Sequence, residues 1–155
     1  GIALICTAVA APATGGRLGK TMLLRLLLSA SLIVAADIHL VLTPQHFDES
    51  PLLGGGFLAA GLCQLVLAAY VVTREDDRPI GFLIAITISL IAIYLYAVVI
   101  GLPLDSEHSN GAAGLRLGSG EPVTLTGLTN VLVEIAAIPL ALIAYAKRSR
   151  PLPAS

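Results

Sequence analysis

The stretch IGFLIAITISLIAIYLYAVVIGL, residues 80–102, decides how the rest of the chain is read. It holds no charged residue over a length that a helix needs to cross a hydrocarbon core, about 20 residues. Three further long apolar runs, with at most two charged residues each, surround it: Met22–Leu42, Leu53–Thr73 and Val123–Ala146. None shows the strand-like alternation of a membrane β-barrel. The expected fold is all-α, a single four-helix transmembrane bundle over residues 22–146, antiparallel, with spans of about 22–42, 53–73, 80–102 and 123–146.

Residues 1–21 read as a non-spanning lead. Its apolar segment Ile2–Ala11 is about half the length needed to cross, and Pro12 and Gly15-Gly16 then interrupt any helix. Residues 147–155 read as a cytoplasmic tail.

Composition agrees with a membrane location. Of 155 residues, 56% are hydrophobic and 12% charged, and mean hydropathy is +0.90. A soluble domain carries about 25% charged residues, so an ordinary cytosolic domain and a disordered tail are both excluded. Nine Lys and Arg against ten Asp and Glu leave no basic excess to attract nucleic acid. Gly54-Gly55-Gly56 follows no strand and precedes no phosphate-binding lysine, so no nucleotide is expected either. Cys6 and Cys63 lie in apolar runs without metal-ligand spacing and read as small hydrophobes.

The positive charges orient the chain. Arg17, Lys20 and Arg25 open the first span, Arg74 and Arg78 separate the second from the third, and Lys147, Arg148 and Arg150 follow the fourth. Eight of nine basic residues thus fall on one side, with Arg116 the exception. Cytoplasmic termini follow from this bias. Glu75-Asp76-Asp77 reads as a solvated cytoplasmic turn. The two external connections are acidic, with Asp48 and Glu49 in the first and Asp105, Glu107 and Glu121 in the second. The second is Gly-rich and reads as a mobile loop carrying His108.

In lipid, small and polar residues mark the packed faces of helices. Gly127, Asn130, Glu134, Ala137 and Ala141 form one stripe on span four. Phe57, Gly61, Gln64 and Ala68 do so on span two, and Thr87, Leu90, Tyr94, Ala97 and Gly101 on span three. A looser stripe, Ser29, Ile33 and Asp37, is expected to turn inward on span one. Gln64, Asn130 and Glu134 are thereby expected as buried polar packing groups. Asp37 and Glu134 are costly inside a bilayer unless protonated, paired or facing a wet cavity. Arg25 is expected to snorkel to the cytoplasmic interface.

The densest chemistry is Asp37-Ile-His39, followed by Pro44-Gln-His46-Phe-Asp48-Glu49-Ser-Pro51. Along a continuous helix His39 and His46 stand about 10 Å apart, too far to share one metal. Pro44 disfavours that continuation, and a turn there brings His46 back toward His39. His39, His46 and Glu49 then become candidate ligands for a transition metal, copper or zinc, with Asp37, Asp48 and Glu134 in support. A structural cap or a proton relay would use the same residues.

The run His39-Leu-Val-Leu-Thr-Pro44-Gln-His46-Phe-Asp-Glu49-Ser-Pro51, with Gly54, Phe57, Gln64, Gly101-Leu102-Pro103, Glu121-Pro122 and Glu134, resembles a group of uncharacterised small four-helix bacterial integral membrane proteins. Their first external loop opens with H-L-x-L-x-P-x-H, and the likeness covers about residues 22–146. It implies a bacterial cytoplasmic (inner) membrane and a linked His/Glu set, and no reaction. No nucleophile elbow, zincin helix or haem-attachment motif is present.

The leading functional expectation is therefore a non-catalytic accessory or stabilising subunit. Other integral membrane subunits and the lipid bilayer would be its partners. A respiratory or copper-dependent oxidase or oxygenase, or a transport complex, would be a natural host. Extracytoplasmic copper or zinc handling is the alternative, and an oligomeric proton-coupled transporter using Glu134 the third.

Overall fold

The computed structural model describes residues 17–74, 78–102, 115 and 117–148. Four helices make up nearly all of it: α1 (Arg17–Glu49), α2 (Pro51–Thr73), α3 (Arg78–Val99) and α4 (Leu125–Arg148). Each is long and apolar enough to cross a membrane. An isolated bridge between Leu115 and Val123 is the β-pairing among the described residues. Cys6, Glu75-Asp76-Asp77, Asp105, Glu107, His108, Arg116, Arg150 and most of the N-terminal lead lie outside them.

α1 departs most from the sequence expectation. It does not stop near Leu42 but continues through Pro44 to Glu49, 33 residues in all. At about 1.5 Å per residue this is about 50 Å, well beyond a hydrocarbon core of about 30 Å. Pro44 has no N–H to give the Leu40 carbonyl. The Thr43 hydroxyl donates to His39 O at 2.8 Å within the same turn, the kind of local hydroxyl contact that accompanies proline inside membrane helices. The reversal comes at Ser50, whose extended backbone (φ −158°, ψ 132°) separates the helices, with Pro51 at the first turn of α2. Proline suits that position because its N–H would have no helical partner there.

α1 and α2 share the most extensive interface; α4 packs on α1 and on α3, and α2 and α3 form the slightest of the adjacent interfaces. Contacts join the start of α1 to the end of α2 and the end of α1 to the start of α2. Ser29 Oγ donates to Ala68 O at 3.1 Å, and Phe47 lies over Gly54. Midway, a Cβ on Gly61 would stand 2.7 Å from Leu40 Cγ and 3.2 Å from Ala36 O. Only glycine lets the two backbones approach this closely. The apolar core beneath is Leu28, Leu32, Leu67, Ala68, Val71, Ile80, Leu83, Ala137 and Ala141.

Arg25 reaches across to the end of α2. Its Nε donates to Val71 O at 2.6 Å, and its Nη2 donates to Arg74 O. The guanidinium thereby occupies carbonyls at the C-terminal end of α2 that have no helical partner of their own.

The segment before α4 closes the other end. Ser119 N donates to Val99 O at 3.1 Å and Glu121 N to Ala97 O at 3.0 Å. A Cβ at Gly120 would collide with Ala97 O and stand 2.7 Å from Gly101 N. The absent side chain is what allows this strand of chain to lie against the end of α3.

Candidate functional site

The inward face of each helix carries one or more polar side chains to the middle of the bundle. α2 contributes Gln64, 1% exposed, and α4 contributes Glu134, 2% exposed. Gln64 Nε2 donates to Glu134 Oε1 at 3.0 Å, although α2 and α4 sit diagonally with no close backbone approach. Asn130, one turn before Glu134, lies near the same carboxyl. From α1, the buried His39 faces Gln64. From α3, Tyr94 lies against α4, where a Cβ on Gly127 would stand 2.7 Å from its ring and 3.0 Å from its hydroxyl. Buried polar groups of this kind specify packing only when satisfied. Gln64 Oε1, Asn130 Oδ1, Glu134 Oε2 and the Tyr94 hydroxyl have no hydrogen-bond partner among the described residues.

The stripes on α2, α3 and α4 point as their spacing requires. Gly61, Gln64 and Ala68 are buried, as are Thr87 and Ala97, and Glu134, Ala137 and Ala141. On α1 the expected inward stripe is corrected. Ser29 is buried, but Ile33 and Asp37 are exposed. A four-residue step overshoots one helical turn by about 40°, so two such steps carry Asp37 off the packed face. Steps mixing three and four residues stay on it: Leu28, Leu32, Ala35, His39 and Thr43 are the buried positions.

The histidine–carboxylate cluster is also rearranged, because α1 is continuous through Pro44. His46 Nδ1 pairs with Glu49 Oε2 at 2.7 Å, three residues along the same helix. His39 is not with them. Its Nδ1–H donates to Ala35 O at 2.9 Å, since a carbonyl can only accept. Phe57 of α2 sits against both rings, with centroids 5.4 Å from His39 and 3.8 Å from His46. Asp48 is exposed, and Gln45 Nε2 donates to Glu49 Oε1 at 3.4 Å. Among the described residues no three His, Cys, Asp or Glu side chains are gathered as a metal would need.

Two features were not legible beforehand. One is the aromatic wedge of Phe57 between the two imidazoles. The other is a shallow groove of about 430 Å³ between α1 and α4, lined by Leu27, Ala30, Ser31 and Val34 from one helix and Thr129, Leu132, Val133 and Ala136 from the other. The hydroxyls of Ser31 and Thr129 are turned back onto Leu27 O and Leu125 O of their own helices, so the groove wall presents little free polarity. No family model, curated protein or solved structure matches the chain.

Proposed function

We propose that the protein is a non-catalytic accessory subunit of a larger membrane enzyme or transport complex, seated in a bacterial cytoplasmic membrane. A respiratory or copper-dependent oxidase or oxygenase is a fitting host. In this reading its four helices cross the bilayer antiparallel, with both termini cytoplasmic. The observation that carries it is the α1/α4 groove. Small side chains (Ala30, Ser31, Ala136) line it, and in lipid small residues are what let a further helix approach closely. α3 is the least buried of the four helices and leaves a second broad face for neighbours or lipid.

The test is recovery of a tagged protein after mild solubilisation. A defined larger assembly is expected, and Ala30→Leu with Ala136→Leu should release the protein from it while leaving the bundle folded. Recovery of the wild type only as a monomer or homo-oligomer would overturn the reading. Cysteine labelling in intact cells tests orientation: Arg74→Cys should react only after permeabilisation.

A second reading, extracytoplasmic copper or zinc handling, is supported by the His46–Glu49 pair. It needs a further ligand from a neighbouring protein, because His39 faces Gln64. Metal content that is equal in the wild type and a His39→Ala, His46→Ala variant would remove it.

A further inference from the structure

Asp37 is an exposed carboxylate within a helix long and apolar enough to cross a membrane. It follows Ala36, whose carbonyl faces Gly61, and Gly61 lies near the middle of α2 (Pro51–Thr73). Among the described residues Asp37 makes no hydrogen bond and no ion pair. Ala30, Val34, Asp37 and Val41 recur at helical spacing and are all exposed. Ala30 and Val34 line the α1/α4 groove, so the carboxylate stands on the continuation of one groove wall. An ionisable group on the lipid-facing side of a membrane-spanning helix is costly and almost always paired.

Among the described residues the helices of a second copy of this chain offer no pairing cation there. α2 has no lysine or arginine, α3 has none after Arg78, and α4 has none before Lys147. Arg25, the nearest cation on α1, is twelve residues away, about 18 Å along the axis, and is committed to Val71 O and Arg74 O. His39 is buried and His46 is held by Glu49.

We propose that the α1/α4 groove receives a transmembrane helix of a different protein that carries a lysine, arginine or histidine at the level of Asp37, and that Asp37 pairs with it. The proposal rests on the accessory-subunit reading and adds the chemistry of the partner. Interfacial charge pairs of this kind select the partner as well as holding it, so the groove accepts the helix by shape and Asp37 selects it by charge.

The test uses the purified protein in phosphatidylcholine vesicles with synthetic leucine–alanine transmembrane peptides whose central residue is arginine, glutamine or leucine. Association is read by energy transfer between dyes. The arginine peptide should associate at least tenfold more strongly than the leucine peptide, with glutamine between them, and Asp37→Asn should abolish the difference. The isolated Asp37→Asn protein should unfold at the same denaturant level as the wild type or a higher one, because the carboxylate has no partner within the bundle. Equal association of all three peptides would overturn the proposal, as would a loss of intrinsic stability in Asp37→Asn. In cells, Asp37→Asn should reduce recovery of the native assembly. An assembly that survives Asp37→Asn but is lost with Ala30→Leu would leave the groove standing and refute the charge pair. A wild type with no assembly refutes the accessory reading itself.

Discussion

Replacing Gln64 by leucine tests the polar centre of the bundle. Gln64 Nε2 is the donor to Glu134 Oε1 at 3.0 Å, and the two side chains are 1% and 2% exposed. Glu134 Oε2 already lacks a partner among the described residues. Gln64→Leu therefore strands the second carboxyl oxygen as well, and an unsatisfied buried acceptor costs about 1–3 kcal/mol. The bond itself contributes less, since interhelical hydrogen bonds in membranes average about 0.6 kcal/mol with a maximum near 1.7. Glu134→Leu removes the group to be satisfied, so the double variant should lose about 0.6–1.7 kcal/mol less than the two single losses combined. Glu134→Gln keeps an acceptor for Gln64 in nearly the same shape and should stay within about 1 kcal/mol of the wild type. Equilibrium unfolding in mixed detergent micelles with increasing dodecyl sulfate, followed by far-ultraviolet circular dichroism, measures all four variants. Additivity within about 0.3–0.5 kcal/mol, or Glu134→Gln as damaging as Glu134→Leu, would refute this account. A Glu134→Gln protein that assembles with its host yet silences it would assign Glu134 to chemistry instead of packing.

Two other substitutions probe the ends of the bundle. Gly120→Val places a side chain where Ala97 O already lies; it should cost about 1–3 kcal/mol as overpacking does and speed hydrogen exchange at the Ser119 and Glu121 amides. Arg25→Ala removes two charge-assisted bonds to the end of α2 and should cost about 1.5–3 kcal/mol, with Arg25→Lys recovering only part because an ammonium cannot reproduce the fork of donors. The same micelle unfolding assay reads both.

The sequence carries the helices well and their mutual arrangement poorly. The scarcity of charge in the four apolar runs (none in 53–73 and 80–102, only Arg25 and Asp37 in 22–42 and Glu134 in 123–146) fixes four long apolar helices, and the recurrence of Gly61, Gln64 and Ala68, or of Glu134, Ala137 and Ala141, marks inward faces. That periodicity works where steps of three and four alternate. It fails on α1, where two steps of four lead from Ser29 to Asp37 and off the packed face. Pro44 misleads for a related reason. Local sterics favour a break, but α1 runs on through Pro44 to Glu49 packed against α2, and this keeps His46 a full two turns from His39. Arg25 and Phe57 depend on register between helices. Nothing near Arg25 in the chain announces that Val71 O and Arg74 O will lie beside it, and nothing near Phe57 announces two imidazoles from another helix. Asp37 is legible as costly from its position alone, whereas the side of the helix it occupies required the packed structure.

Photocrosslinking from inside the groove tests the accessory-subunit account most directly. With a benzophenone side chain at Ala136, on the α4 wall of the groove, illumination of native membranes should yield one discrete adduct with a larger integral membrane protein. The crosslinked segment should be a transmembrane helix bearing a basic residue, and Ala30→Leu in the same chain should suppress the adduct. Crosslinks confined to lipid, or to a second copy of this chain, would contradict the account.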